Sequence, residues 1–353
     1  MNKIKLMKLK TYVLSALCFL VVMSSCKKDD DDNSLELIPE RDRAEQQLAD
    51  FDSLKVYLQT HYYNRATFEA PGNHTIAELV ISELPKDDSG NYQPMPDPDT
   101  NQLLSEAVNI DAPLTTTYMD TEYQYYILEL NKGGGVNPNF SDMVRLNYNG
   151  FLTDGTSFDG TVTPTDFDLM NLIPGWREAI PQFKTSESFV ENNDGTVTFE
   201  NYGLGVMFLP SGLAYFGNPT ASIPAYSNLN FAFELYQSEI ADHDGDGIPS
   251  YMEDLDGDKN LFNDDTDGDN VPNFLDSDDD ADRVLTINEM TRQTYTVDTN
   301  NGGQEPVLAE GEFERSRSMS AGVITIKTLK IVDADGDGVD DHLQKTVTTD
   351  YSK

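Results

Sequence analysis

The sequence predicts an α+β fold, an antiparallel sheet wrapped around one short helix, and three observations carry that reading. Residues 123–130 and 144–148 are rich in β-formers, and the second run alternates apolar and polar with period two. Asp154-Gly155 and Asn193-Asp194-Gly195 are hairpin turn signals. Between those turns, Trp176-Arg177-Glu178-Ala179-Ile180-Pro181-Gln182-Phe183 places apolar residues at helical spacing, the one short helix expected inside the strand-rich region.

The elements then follow in chain order. Lys3, Lys5, Lys8 and Lys10 precede an apolar stretch at 13–23 that is too short for an ordinary membrane span. Residues 1–25 read as a signal peptide. Met23-Ser24-Ser25-Cys26 resembles a bacterial lipobox, with methionine where leucine is more usual, and the resemblance implies a lipid anchor at Cys26. Cys18 lies within the apolar stretch, so a mature chain would keep no thiol for a disulfide. Lys27-Lys28-Asp29-Asp30-Asp31-Asp32 reads as a solvated tether over 26–40. It also resembles the export signal of surface-displayed lipoproteins. The expected location is the bacterial outer membrane, facing the periplasm or the cell surface.

Over 41–120 we expect a helical and irregular region. Leu48, Phe51, Leu54 and Leu58 recur at helical spacing and form a narrow face suited to docking on a domain. Pro85, Pro94, Pro96 and Pro98 mark the following stretch as loop or linker. Residues 121–240 carry the α+β domain, 241–289 an acidic segment, and 290–353 a β-rich region. There, Thr/Val/Ile-rich runs at 325–332 and 345–349 are expected to form a small hairpin.

The chain has 353 residues, with 62 acidic against 24 basic side chains and a formal charge of −38. That balance argues against nucleic acid as a partner, since phosphate binding depends on basic neutralisation. With 38% hydrophobic residues there is ample material for a core.

Six fragments of the central region fall in a telling order: Tyr148-Asn149-Gly150; Asp154-Gly155-Thr156-Ser157-Phe158-Asp159; Leu172-Ile173-Pro174-Gly175-Trp176; Ala214-Tyr215; Ile223-Pro224; and Leu229-Asn230-Phe231-Ala232-Phe233-Glu234-Leu235. Together they resemble the FKBP-type peptidyl-prolyl cis-trans isomerase family over about a third of the chain. The resemblance implies an enzyme with an apolar pocket that takes proline-containing proteins or peptides as substrates and needs no cofactor for catalysis. It places Trp176 as the floor beneath the proline ring. Tyr148, Phe158, Phe167, Leu172, Ile173 and Phe231 would form the walls, with Ile223 at the overhanging loop. Tyr215 and Asp159 would orient the substrate's backbone. Three departures from the family pattern stand out: Phe216 after Tyr215, Ala225 after Pro224, and an expanded segment after Phe183 that reads as an extra hairpin.

Residues 242–253 match a twelve-residue calcium loop, with Asp242, Asp244 and Asp246 at the first three odd places and glycine at the sixth. The Ile248 carbonyl, Ser250 and Glu253 complete that set. Asp254, Asp256, Asp258, Asn260 and Asp265 form a second set, in which Lys259 replaces the glycine. Asp265, Asp267, Asp269, Asn273 and Asp276 make a third; Asp278, Asp280, Asp282 and Glu289 a fourth; Asp333, Asp335, Asp337 and Asp341 an isolated fifth. The close spacing resembles thrombospondin type-3 repeats more than paired EF-hands, and it implies structural Ca²⁺. Two other functions remain open beside the isomerase. One is a binding module that keeps the fold with weak turnover; the other is a calcium-dependent surface structural or adhesive lipoprotein.

Overall fold

Alternation along the strands sets the architecture of this computed structural model, which describes residues 40–353. The signal peptide, Cys26 and the tether up to residue 39 lie outside the described residues. Helix α1 (Arg43–Thr60) starts at Asp42, whose carboxylate accepts the Glu45 N–H at 2.9 Å. Three short strands, β1 (His61–Tyr63), β2 (Ile81–Glu83) and β3 (Gln102–Leu103), form a small antiparallel sheet ordered β2-β1-β3.

The main sheet comprises β4 (Leu114–Tyr118), β5 (Thr121–Asn131), β6 (Met143–Leu152), β7 (Ser157–Gly160), β8 (Thr165–Asp168), β11 (Gly203–Leu209) and β12 (Leu229–Glu239). Its order is β4-β5-β11-β12-β6-β7, with β8 also on β6, and each of these pairings is antiparallel. The expected fold class is therefore borne out. Between β8 and β11 lie helix α2 (Pro174–Ala179) and a separate hairpin of β9 (Ser188–Glu191) and β10 (Val197–Glu200), the insertion expected after Phe183.

Successive strand residues point to opposite faces. Met207, Leu209, Phe231, Phe233 and Leu235 pack with Trp176 and Ile180 on the α2 face. Val206, Phe208, Tyr126, Leu128 and Ala232 pack with Leu54, Tyr57 and Leu58 of α1 on the other. The N-terminal helix thus docks on the sheet as its spacing suggested, although Leu48 is exposed. Buried Asp50 fastens the contact: it accepts both the Ser211 N–H at 2.8 Å and the Ser211 hydroxyl at 2.6 Å.

Helix α2 is shorter than the predicted 176–183 run. Pro181 lacks the donor an α-helix needs there, and the chain tightens into a 3₁₀ turn at Ile180–Gln182. Strand β4 pairs with β5, so the expected boundary at 121 falls inside a hairpin. The C-terminal hairpin is also corrected. Strands β13 (Thr291–Asp298), β14 (Glu312–Ser320) and β15 (Val323–Lys330) form a sheet ordered β13-β15-β14, while 345–349 pairs with no strand. Ile248, Met290 and Leu329 share one buried cluster, so the acidic segment and the terminal sheet are not separate units. Among the described residues no helix is long and apolar enough to cross a membrane.

Candidate active site and acidic loops

The pocket is assembled from four strands and one tight helical entry. Leu146 and Tyr148 stand two apart on β6, and Phe231 faces them from β12. Strands β7 and β8 bring Phe158, Asp159 and Phe167 to the same rim. Asp168 caps a 3₁₀ turn at Leu169–Asn171, and Pro174 then opens α2 at its first position. Gly175 is required by packing: a Cβ there would stand 2.2 Å from Leu209 Cδ1. This close approach seats Trp176 below the cavity, only 4% exposed.

The cavity holds about 210 Å³ and is lined by Leu146, Tyr148, Phe158, Asp159, Phe167, Asn171, Leu172, Ile173, Trp176, Tyr215 and Phe231. Ligand pockets commonly run from about 300 to 1,000 Å³, so this one suits a single small ring better than a large ligand. Its aromatic walls interlock edge to face. Tyr148 meets Trp176 with centroids 5.6 Å apart at 80°, and Phe158 meets Phe231 at 5.4 Å and 86°. On the polar side, the Tyr148 hydroxyl donates to Asp159 Oδ2 at 2.6 Å, and Asp159 Oδ1 accepts the Gly160 N–H at 2.8 Å. Burial, reinforced by that hydrogen bond, pushes the Tyr148 phenol above its ordinary value, so it stays a donor. A roomier cleft of about 590 Å³ lies between Tyr57, His61, Glu83 and the β6–β7 tip. It is the more open and polar of the two and holds neither Trp176 nor Tyr148.

Nine of the ten expected pocket residues therefore meet around one cavity. Ile223 does not line it; it is buried in the core, in a loop closed by Thr220 N–H to the Ile223 carbonyl at 2.9 Å. Asn171 and Leu146 escaped the sequence reading, although Leu146 shares the face of Tyr148 by simple alternation. The extra Phe216 is accommodated by a left-handed backbone, φ 48°, which buries its ring beneath Arg43 and against Tyr226. Tyr215 is left free to line the cavity.

The acidic loops share one hydrogen-bond pattern. Their sixth residues, Gly247, Lys259, Asn270, Arg283 and Gly338, all have positive φ, including the three that are not glycine. In the last four loops the sixth N–H donates to the first carboxylate, as from Lys259 to Asp254 at 3.0 Å and from Asn270 to Asp265 at 3.0 Å. Carboxylate oxygens converge within 4.8 Å in the sets Asp242/Asp244/Asp246, Asp254/Asp256/Asp258, Asp265/Asp267/Asp269 and Asp278/Asp280/Asp282. That spacing suits oxygens around a common ion at about 2.3–2.6 Å.

Other expected ligands are placed differently. Ser250, Asn273 and Asp341 turn back on their own loops, accepting the N–H of His243, Thr266 and Ala334 at 3.2, 2.9 and 2.7 Å. Each second-place N–H needs an acceptor, and the ninth residue supplies it. In the second loop Asp264 does this for Leu255 at 3.1 Å, so that loop is longer by two residues and Asp265 gathers with the third set. Glu289 is buried near Asp278, Asp280 and Asp282; burial and their repulsion push its carboxyl up to about 9. Ile248 and Asn260 are seventh in their loops, their N–H groups bonded to Asp246 and Asp258 at 2.7 Å. In the fifth loop Asp333 accepts the Gly336 and Gly338 N–H groups, while Asp335 and Asp337 accept those of Asp337 and Val339. Asp276 accepts the Asp278 N–H at 3.0 Å.

An aromatic cavity floored by a tryptophan and edged by a hydroxyl–carboxylate pair defines a binding site for a compact apolar ring. The family described as FKBP-type peptidyl-prolyl cis-trans isomerase matches residues 134–236, and these residues form a domain of that type. Residues 243–306 match a second family, described as BamM C-terminal. The FKBP-type peptidyl-prolyl cis-trans isomerase FkpA of Aeromonas hydrophila is 36% identical over 126 residues, 35% of this chain and 40% of that protein. The FKBP-type 22 kDa peptidyl-prolyl cis-trans isomerase of Escherichia coli (strain K12) is 33% identical over 111 residues, 31% of this chain and 47% of that one. Outer membrane protein MIP of Legionella longbeachae is 42% identical over 73 residues, 19% of this chain and 30% of that protein. The chain thus spans less than half the length of these curated relatives. The crystal structure of FkpA from Escherichia coli aligns with 28% identity over 35% of this chain and 51% of that chain, at a TM-score of 0.28.

Proposed function

We propose that this protein is a lipid-anchored prolyl isomerase of the outer membrane whose acidic loops are made rigid by calcium. The observation that carries the reading is the cavity, with Trp176 beneath it and the Tyr148–Asp159 pair at its edge. Rotation about an X-Pro bond faces a barrier of about 18–20 kcal/mol and breaks no covalent bond. The twisted amide loses resonance, and its carbonyl becomes more ketone-like. An apolar, water-poor cavity favours that form over the planar amide, which lowers the barrier. Trp176, Phe231 and Phe158 hold the proline ring and exclude water. The exposed Tyr215 and the Asp159 carboxylate orient the peptide backbone. Proline-containing proteins or peptides are the substrates, and no cofactor enters the step.

The acidic loops fit Ca²⁺ by donor chemistry, since hard oxygen ligands at this spacing are what calcium takes. Bound there, it would neutralise carboxylates that otherwise repel one another. The Met23-Ser24-Ser25-Cys26 motif is the basis for the lipid anchor. A protease-free isomerisation assay on a proline peptide tests the central reading. Wild type should accelerate exchange and Trp176→Ala should not; a wild-type rate equal to the uncatalysed one ends the proposal.

A further inference from the structure

Three carboxylates from two loops distant in sequence meet in the interior. Asp246 and Glu253 belong to the first acidic loop, whereas Asp279 stands at the second place of the fourth, where a calcium loop takes no ligand. Their exposures are 2%, 3% and 2%. One oxygen from each lies within 4.8 Å of the others. Asp246 Oδ2, both Glu253 oxygens and both Asp279 oxygens have no hydrogen-bond partner. Asp279 is held in place through its backbone, whose N–H donates to Thr286 Oγ1 at 3.3 Å.

Bare buried charges of one sign cost several kcal/mol each, as an order of magnitude, and persist only when paired or bound to metal. Arg315 is the nearby cation, and it pairs with Asp242 at the loop's rim. The inner three carboxylates are left facing one another.

We propose that Asp279 is a ligand of the first calcium site, so that one ion joins the first loop to the fourth. This rests on the calcium reading of the loops and adds to it a ligand that loop spacing does not supply. The first loop carries Ile248 into the cluster with Met290 and Leu329. The shared ion therefore ties both ends of the acidic segment to the terminal sheet, where separate ions would only shape separate turns.

Calorimetric titration of the calcium-stripped full chain with calcium alone tests this beside Asp279→Asn and Glu253→Gln. Both variants should lose or weaken the same binding step, on the order of tenfold or more, and leave later steps in place. An Asp279→Asn isotherm matching wild type while Glu253→Gln loses the step would overturn the assignment. Absence of any wild-type calcium heat would overturn the loop reading as well, so the two failures are distinguishable. Thermal unfolding supplies a second readout. In chelator Asp279→Asn should be at least as stable as wild type, because repulsion is relieved; with calcium it should be less stable. Equal destabilisation in both conditions would mark Asp279 as structural only and sink the proposal.

Discussion

Lys259, at the left-handed turn of the second acidic loop, places its ammonium 2.8 Å from the Glu178 carboxylate, two residues along α2 from Trp176. Its own carbonyl accepts from Arg177 at 3.3 Å. Beside this pair, Leu261 and Phe274 bury Met170 of the 3₁₀ turn that leads into the helix. The acidic segment is therefore packed against the element that carries the pocket floor.

The single tryptophan should report this brace. Removing calcium with a chelator is expected to shift Trp176 emission to the red and lower the unfolding midpoint. Phe274→Ala should reproduce part of the effect, costing about 3 kcal/mol through the cavity it leaves. Lys259→Ala, which breaks an ion pair whose lysine is partly exposed and whose Glu178 side chain is mostly covered, should cost on the order of 1 kcal/mol, less than Phe274→Ala. Emission indifferent to calcium would show that the brace does not depend on the ion.

The Tyr148–Asp159 pair should matter to turnover rather than to folding. Losing one hydrogen bond of about 0.5–1.5 kcal/mol corresponds to a fall in kcat/KM of roughly two- to tenfold. Tyr148→Phe, measured by exchange on a proline peptide with circular dichroism unchanged, checks this. An unaltered kcat/KM would remove the pair from the mechanism.

Two glycines separate shape from stability. A Cβ at Gly150 would stand 2.6 Å from the Phe158 ring, so Gly150→Ala should displace that wall and reduce activity. At Gly175 the obstruction is the Leu209 side chain, so Gly175→Ala should cost about 1–3 kcal/mol by overpacking. Urea unfolding measured beside activity tells the two effects apart.

Asp50 should be among the more costly residues of α1 to truncate. Asp50→Ala leaves the buried Ser211 N–H and hydroxyl without their acceptor, an expected loss of about 3 kcal/mol. In a double-mutant cycle with Ser211→Ala, strict additivity would disprove the coupling.

His61 should make the fold acid-sensitive. Burial lowers its pKa, the ring being stacked on Tyr57 at 4.1 Å. Folding therefore favours the neutral imidazole. This contribution is present above the unfolded value near 6.5 and is lost as pH falls through the lower folded value. Between about pH 7 and pH 5, wild type should lose more of its unfolding midpoint than His61→Gln. Equal losses would assign the acid sensitivity elsewhere.

Much of the site was legible because its signals are local. Tyr148, Phe158-Asp159 and Leu172-Ile173 through Trp176 each sit in a short motif, and it is the order of those motifs, through the family resemblance they carry, that marks them as pocket residues. The acidic loops were readable for the same reason, since alternate side chains of a tight turn must converge. Ile223 turns into the core rather than the cavity because its orientation depends on how its loop closes on itself. Spacing marks Asn273 and Ser250 as loop oxygens, but it says nothing about which neighbouring N–H each one also accepts.

The central strands, the pocket motifs and the loop repeats are relationships between residues a few places apart, so local spacing is enough to specify them. That α1 covers the far face of the sheet, that the acidic segment packs on α2, and that Asp279 meets Asp246 and Glu253 emerges from the packing of the whole chain. Those pairings follow from burial, which must cover apolar faces and neutralise charge across distant segments, and no local spacing encodes which segments will meet.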